Sequence, residues 1–495
     1  MGREIDRESF TEAEFERFSA RLRAGVAALD ALLGRPGFGE GPTTVGAELE
    51  LCLIDAAGRP LPRNRAVLDA AAHPRLTLEA DRFNIECNTA PVPLRGRPFA
   101  ALRRDLDDVL GALEVAAAAQ GAGPVAIGIL PTLRPDDLTP AAITESPRYR
   151  ALSHGLRRLR QEAFTIAIDG PEPLTTTYDD VTAEGANTSW QVHLRVSPAA
   201  FARTYNAAQI ATAPVLAVAG NSPTFLGHRL WDETRVALYR QSVDDRVDAE
   251  PEDWRPARVT FGHGWVRRGA AELFAESVAL HAPLLAAVDA EDPDAVRAAG
   301  GVPQLWELRL HHGTVWRWNR AVYDAAGGGH LRIEFRALPA GPTVIDMLAN
   351  TAFLLGLTLA LAPDADRLVT RLTFGQARRN FYAAARHGVD AELLWPHDEA
   401  PSPRRCSVAT LVPELLPLAR TALCDAGVAP DEVDPLLAAI AARTARRRTG
   451  ARWQTAALAA FEGTADRPTA LRRMLARYRA LAATGAPVHD WPLPV

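Results

Sequence analysis

The chain has 495 residues, 47% of them apolar and 23% charged, with a formal net charge of −5. That is the balance of a globular protein, and it offers no excess of positive charge to draw in nucleic acid. No lysine occurs, and all 55 strongly basic side chains are arginine. A Walker A loop, the protein-kinase lysine and a lysine Schiff base are therefore excluded, so any phosphate must be gripped by Arg, metal or backbone N–H.

The start, "MGREIDRESFTEAEF", lacks the apolar run of a signal peptide, and Asp6 breaks the myristoylation pattern. Four scattered cysteines (52, 87, 406 and 424), with no C-x-x-C, suit a reducing cytoplasm. Residues 11–33 read as an amphipathic helix, with Thr11 and Glu14 at capping-box spacing. After a Gly/Pro-rich linker, "TVGAELELCLID" (43–54) reads as a strand. A helix is expected at 99–120, a short strand ends at Pro131, a strand falls in 187–198 and an apolar helix in 206–220. The polar stretch 221–270 predicts a long functional loop region, and the histidines His263, His311 and His312 are read as loop residues. Residues 330–338 alternate as another strand.

From 343 the pattern is helical, with further helices at about 407–425, 430–447, 451–462 and 468–484. The first of these is long and apolar, but Asp346 and Asn350 interrupt it, which predicts a buried core helix rather than a membrane span. Three parts follow: residues 1–42 (helix and linker), 43–365 (catalytic domain) and 366–495 (a helical region packed on it).

Four of the strands share one pattern. Side chains two apart lie on one face of a strand. Glu48 and Glu50 share a face in the first. Asn84, Glu86 and Asn88 do so in the second, Gln191, His193 and Arg195 in the third, and Arg332, Glu334 and Arg336 in the fourth. The opposite faces are apolar. The expected fold is α+β, an antiparallel sheet with one charged face and helices behind it. Carboxylates with one imidazole suit Mg²⁺ or Mn²⁺, and the interleaved arginines suit phosphate or carboxylate. Together these are the equipment for transferring a phosphoryl group from a nucleotide.

The ordered set G-x-E-x-E at 46–50, Glu79 with Glu86, Val192-His193 and I-E-x-R at 333–336 resembles the glutamate–cysteine ligase family, of the GCS2 or carboxylate–amine ligase type. "GNSPTFLG" (220–227) and "HHGTVWRWNRAVYD" (311–324) are similar to further segments of that family. The resemblance covers roughly residues 43–360. It implies a glutamine-synthetase-like domain, related distantly to guanidino kinases, with a curved sheet whose concave face holds metal and nucleotide. It also implies ATP-dependent phosphorylation of a carboxylate, typically the γ-carboxylate of glutamate, followed by attack of an amine such as cysteine.

Carried over residue by residue, Glu48, Glu50, Glu79, Glu86, His193 and Glu334 match the metal site. Asp81 shares the strand face of Glu79 and is an alternative to it. Arg336 matches the arginine that faces the transferred phosphate, and Glu50 joins it as a catalytic residue. Arg235, Arg240, Arg320, Arg332 and Asn221 are assigned to substrate or ATP. Trp316 and Trp318 are read as packing residues. Where many members read His-Val-His-Val-Gly, this chain has Gln191-Val-His-Leu-Arg195.

The partners implied are small molecules (an amino acid, an amine and ATP), with no nucleic acid and no membrane; a homo-oligomer is left open. Other readings on the same residues are a guanidino-kinase-like phosphotransferase, a catalytically silent binding protein and a metal-dependent hydrolase.

Overall fold

The protein is described here by a computed structural model, which covers residues 5–247, 255–397 and 402–494. The Met-Gly start and part of the 221–270 stretch lie outside those residues.

The centre is an eight-stranded sheet. Its strands are β1 (Thr44–Ile54), β2 (Leu76–Leu78), β3 (Asn84–Asn88), β4 (Val92–Pro93), β5 (Gly123–Val125), β8 (Trp190–Val196), β11 (Asn319–Asp324) and β12 (His330–Phe335). Between these in the chain, β6 (Phe164–Ile168) pairs with β7 (Leu174–Tyr178), and β9 (Thr224–Phe225) with β10 (His228–Arg229), as separate hairpins. The main path runs β11-β12-β8-β1-β3-β2, antiparallel throughout, while β4 and β5 pair with the two ends of β1. The fold class is thus the α+β, largely antiparallel one expected from the alternation.

Register decides what meets on the polar face. Glu48 lies opposite Gln191, Glu50 opposite Glu86, and Glu334 between His193 and Arg320. The other parity places Ala47, Leu49, Val192, Leu194, Ile333, Phe335, Ile85 and Cys87 behind the sheet, all buried. Burying each large member contributes about 1.5–3 kcal/mol, and a one-residue slip would reverse every side chain. This pattern therefore holds the polar face in register.

Helices Phe201–Ala219 and Val344–Leu361 cover the apolar side. Tyr205 donates to the carbonyl of Asn319 (2.7 Å) and Trp190 Nε1 to Thr351 Oγ1 (2.8 Å), which ties both helices to the sheet. Val344–Leu361 begins the one described helix long and apolar enough to span a membrane. Here it is wrapped by helices Val408–Asp425, Phe201–Ala219 and Pro430–Ala445. Its two polar interruptions have a partner: Arg443 donates to Asp346 (2.8 Å) and to Asn350 (2.5 Å).

The N-terminal helix Glu12–Leu33 starts with the expected Thr11–Glu14 capping box. It packs on helices Ala270–Leu280 and Trp306–His312 and shares the main core through Phe18, Leu22 and Leu29. The last two long helices form a second core with the far end of β1, where Trp453, Met474 and Tyr478 join Cys52 and Ile54.

One expectation needs correction. The described part of 221–270 is largely packed rather than looped: six of the eight residues of helix Arg235–Ser242 are buried. Its charges are hidden by pairing, Arg235 with Glu233 (2.9 Å) and Arg258 with Asp245 (2.6 Å), so a polar sequence became an interior one. Likewise His311 and His312 close helix Trp306–His312 and are buried.

Candidate functional site

The polar face gathers the acids into two adjoining groups. Glu48, His193 and Glu334 form one; Glu50, Glu79 and Glu86 form the other. Within each group, the atoms able to bind a cation lie within 4.8 Å of one another. Six residues from five separate chain segments therefore converge as the ordered motif set implied. Glu79, just beyond β2, joins the second group, whereas Asp81 is buried against Gly185 and belongs to neither group.

The groups differ electrostatically. Burial raises the Glu334 carboxyl, but Arg320 and Arg336 outweigh it and hold the group well below the usual carboxylate range. Arg320 grips it with two contacts, 2.5 and 3.0 Å, and Arg336 Nη1 donates at 3.2 Å. Burial likewise works on Glu48, where the imidazole of His193 outweighs it and leaves the carboxyl below its ordinary value.

In the second group, burial pushes the Glu86 carboxyl up to about 7, with Glu48 and Glu50 adding to the rise. Glu79 lies well above its ordinary value through burial and the charges of Glu86, Glu50 and Glu184. Glu50 is raised by burial despite Arg336 and Arg235. Its orientation is fixed by the Ser189 N–H and by Gln191 Nε2, each at 2.7 Å, while Thr77 and Asn88 donate to Glu86.

The donor set fits divalent cations. His193 is nearly buried, yet neither ring nitrogen makes a hydrogen bond among the described residues. Nε2 sits 3.1 Å from Glu48 and 3.8 Å from Glu334. Crowded carboxylates around a nearly buried imidazole are poor as a static interior and natural around a hard or borderline ion.

The remaining expected residues divide. Arg336 and Arg320 stand at the acids, Arg336 being steadied by Gln191 Oε1 at 2.5 Å. Arg235 is buried beside the end of β12, bonded to Glu233 (2.9 Å) and the Ala337 carbonyl (3.2 Å). Arg332 shares the face of Glu334 but is occupied at the strand's far end by Asp324 and His330, both at 2.9 Å. Arg240 lines a separate cavity of about 320 Å³ with Arg246, Arg378 and Tyr382. Asn221 is fully buried, bonded to the Ala340 carbonyl, Tyr478 and Gln454, and so fastens the C-terminal helices. Trp316 and Trp318 pack on Tyr239, as expected of packing residues.

Sequence reasoning missed Glu184 and Tyr239. Burial, then Glu50, raises the Glu184 carboxyl to about 7, with Arg336 opposing. The Tyr239 hydroxyl is raised by burial, Glu184 and Glu50. Glu184 comes from the irregular segment before β8, where no periodicity marks a face. The polarity of "YDDVTAEGANTSW" (178–190) was the available signal.

The sequence profile of glutamate–cysteine ligase family 2 (GCS2) matches residues 44–430. Among solved structures, the glutamate–cysteine ligase of Francisella tularensis, in complex with AMP, superposes with a TM-score of 0.54 at 11% identity, covering 92% of this chain and 91% of that one. A bifunctional glutathione synthetase from Pasteurella multocida gives 0.47 at 12% identity, covering 93% of this chain and 55% of the other. No curated protein matches the sequence. The chain belongs to glutamate–cysteine ligase family 2, and it shares the fold of the Francisella ligase.

Proposed function

We propose that the protein is an ATP-dependent ligase that joins a carboxylate to an amine through an acyl phosphate. The carboxylate is the γ-carboxylate of glutamate or a similar acid. The acceptor is an amine, for which cysteine, named in the family, is the reference. The reading is carried by one observation: two cation-ready acidic groups side by side on one sheet face, with Arg336 and Arg320 at their edge.

A carboxylate is a poor acyl donor, and phosphorylation supplies its leaving group. Glu48, His193 and Glu334 would hold one Mg²⁺ (or Mn²⁺), and Glu50, Glu79 and Glu86 a second. When bound, such ions supply Lewis acidity and offset phosphate charge. The chain's own residues do the rest. Arg336 has Nη1 fixed by Gln191 and Glu334, and its other N–H groups would grip phosphoryl oxygens. Arg320 holds Glu334 ionised. Glu50, locked by the Ser189 N–H, keeps its position as charge moves nearby. We place this activity in the cytoplasm, where ATP is abundant and free cysteines such as the four here persist.

A screen of amino acids and amines for ATP-dependent phosphate release, with mass spectrometry of the products, tests the reading. An amide together with free phosphate supports it. A phosphorylated end product would point instead to a phosphotransferase, and turnover without ATP to a hydrolase.

A further inference from the structure

The cavity of about 320 Å³ that stands apart from the acids has a wall of one sign. Arg240, Arg246, Arg255, Arg378 and His263 line it together with Tyr382, and no carboxylate does. In a chain of net charge −5, four guanidiniums around one opening repel one another unless an anion meets them. Separate segments bring them there. Arg240 lies on helix Arg235–Ser242, and Arg378 and Tyr382, one turn apart, lie on helix Phe374–His387. Arg246 and Arg255 come from the chain that follows the first of these helices.

The floor is firm. Pro256, Ala257, Val259 and Thr260 are buried, and the main chain of Thr260 bonds that of Trp316 (3.2 Å) and Trp318 (3.1 Å). Asp244 occupies two N–H groups of Arg246, at 2.7 and 2.5 Å. Arg240 and Arg378 make no ion pair among the described residues, and Arg240 lies over the Tyr382 ring at 5.9 Å. The N–H groups of these two side chains are therefore open to a ligand.

We infer that this cavity is a second ligand site, distinct from the sheet face, and that it takes a small phosphorylated molecule with two or more negative charges, either a nucleoside diphosphate or a free polyphosphate. Neither the acids of the two groups nor Arg336 and Arg320 line it, so the inference stands or falls apart from the ligase reading. Its volume is that of a small-molecule site rather than of an ion site, since such pockets run from about 300 Å³ upward. Its charge disfavours an amino acid, whose α-ammonium would meet guanidiniums and no acid. Phosphate oxygens suit the planar fork of arginine. Pro256, Ala257, Val259 and the Tyr382 ring offer an apolar patch to the uncharged part of a ligand.

The metal-free protein separates the two sites. In EDTA the crowded carboxylates of the sheet face repel a polyanion, whereas attraction to guanidiniums needs no metal. Calorimetric titrations of the full chain in EDTA use tripolyphosphate, pyrophosphate, ADP, citrate and glutamate. The expected result is one phosphate ligand bound per chain, more weakly at high salt. Arg378→Gln should weaken binding by on the order of tenfold, and Arg240→Gln combined with Arg378→Gln by on the order of 100-fold. Arg336→Lys should change it by less than about twofold. Arg240 and Arg378 are both exposed, and Arg240→Gln alone provides the same measurement should Arg378→Gln fail to fold.

ADP bound more tightly than pyrophosphate assigns the site to a nucleotide, and the reverse order to a free polyphosphate. Citrate or glutamate bound as tightly as pyrophosphate overturns the phosphate assignment. No binding of any phosphate in EDTA, binding that survives the double substitution, or binding lost in Arg336→Lys overturns the site itself.

Discussion

Glu334 and Glu86 are both buried glutamates on antiparallel strands of one sheet face, yet their surroundings are opposite. Two guanidiniums meet Glu334, and it stays ionised at any ordinary pH. Glu86 meets hydroxyl and amide donors and other acids, and its carboxyl rises to about 7. The first group is charge-balanced by the fold itself. The second is balanced only when a cation arrives. One face thus combines a rigid half, which orients Arg336, with a half whose stability depends on what it binds.

Breaking each half should separate the two roles. Glu334→Gln leaves Arg320 and Arg336 facing a neutral amide. Loss of one partner of a buried pair costs about 3–5 kcal/mol, so the thermal midpoint should fall clearly and turnover should disappear together. Glu86→Gln removes a charge from a crowded group. Turnover should fall by on the order of 10³-fold, while the thermal midpoint of the metal-free protein stays level or rises. Thermal melts and steady-state assays of the two variants check the contrast. A stabilised Glu334→Gln, or a strongly destabilised Glu86→Gln, would erase the distinction between the halves.

Much of this face could be read from alternation alone. Glu48, Glu50, Glu86, His193, Glu334 and Arg336 all sit on strands with clean period-two patterns, and each apolar partner is indeed behind the sheet. What escaped was set by pairing across the chain. Arg235 looks like a free clamp until Glu233, two residues away, is seen to share its burial. Asn221 looks like a site residue until Tyr478 and Gln454 arrive from more than 200 positions later. Glu184 lies in a segment shaped by contacts rather than periodicity, with Gly185 bonded to Asn84 Nδ2 (2.8 Å). The 221–270 stretch looked polar because its charges cancel one another inside the protein.

A smaller change sharpens the rigid half. Arg336→Lys keeps the charge beside Glu334 but loses the planar fork that Gln191 orients. If the guanidinium stabilises the phosphoryl group in transit, kcat should fall by on the order of 10²-fold, and KM for ATP should change much less. Were Arg336 only a partner for Glu334, Arg336→Lys would keep the pair and kcat would stay near wild type.

The smallest effect expected is a pH dependence of the metal-free protein. Glu86 and Glu184 both titrate near 7 in the folded chain, against an ordinary value of 4.5. A carboxyl raised by folding binds its proton more tightly in the native state than in the unfolded one. Stability therefore contains its full contribution below about pH 4.5 and loses it as pH rises through 7. Buried His281, His311 and His312, held below their ordinary value mainly by burial, work the other way up to the unfolded value near 6.5. The acids are therefore read as a difference: between pH 5.5 and 8 the thermal midpoint in EDTA should fall by on the order of a degree or two relative to that of Glu86→Gln. Glu334 adds no slope in that window, because it stays ionised throughout. Excess Mg²⁺ should flatten the slope and raise the midpoint most at pH 8, because the cation binds the ionised carboxylates. Calorimetric scans across this range, with EDTA and with Mg²⁺, measure both changes. A difference between the two proteins that does not change with pH would mean that the second acidic group is already neutralised by the fold.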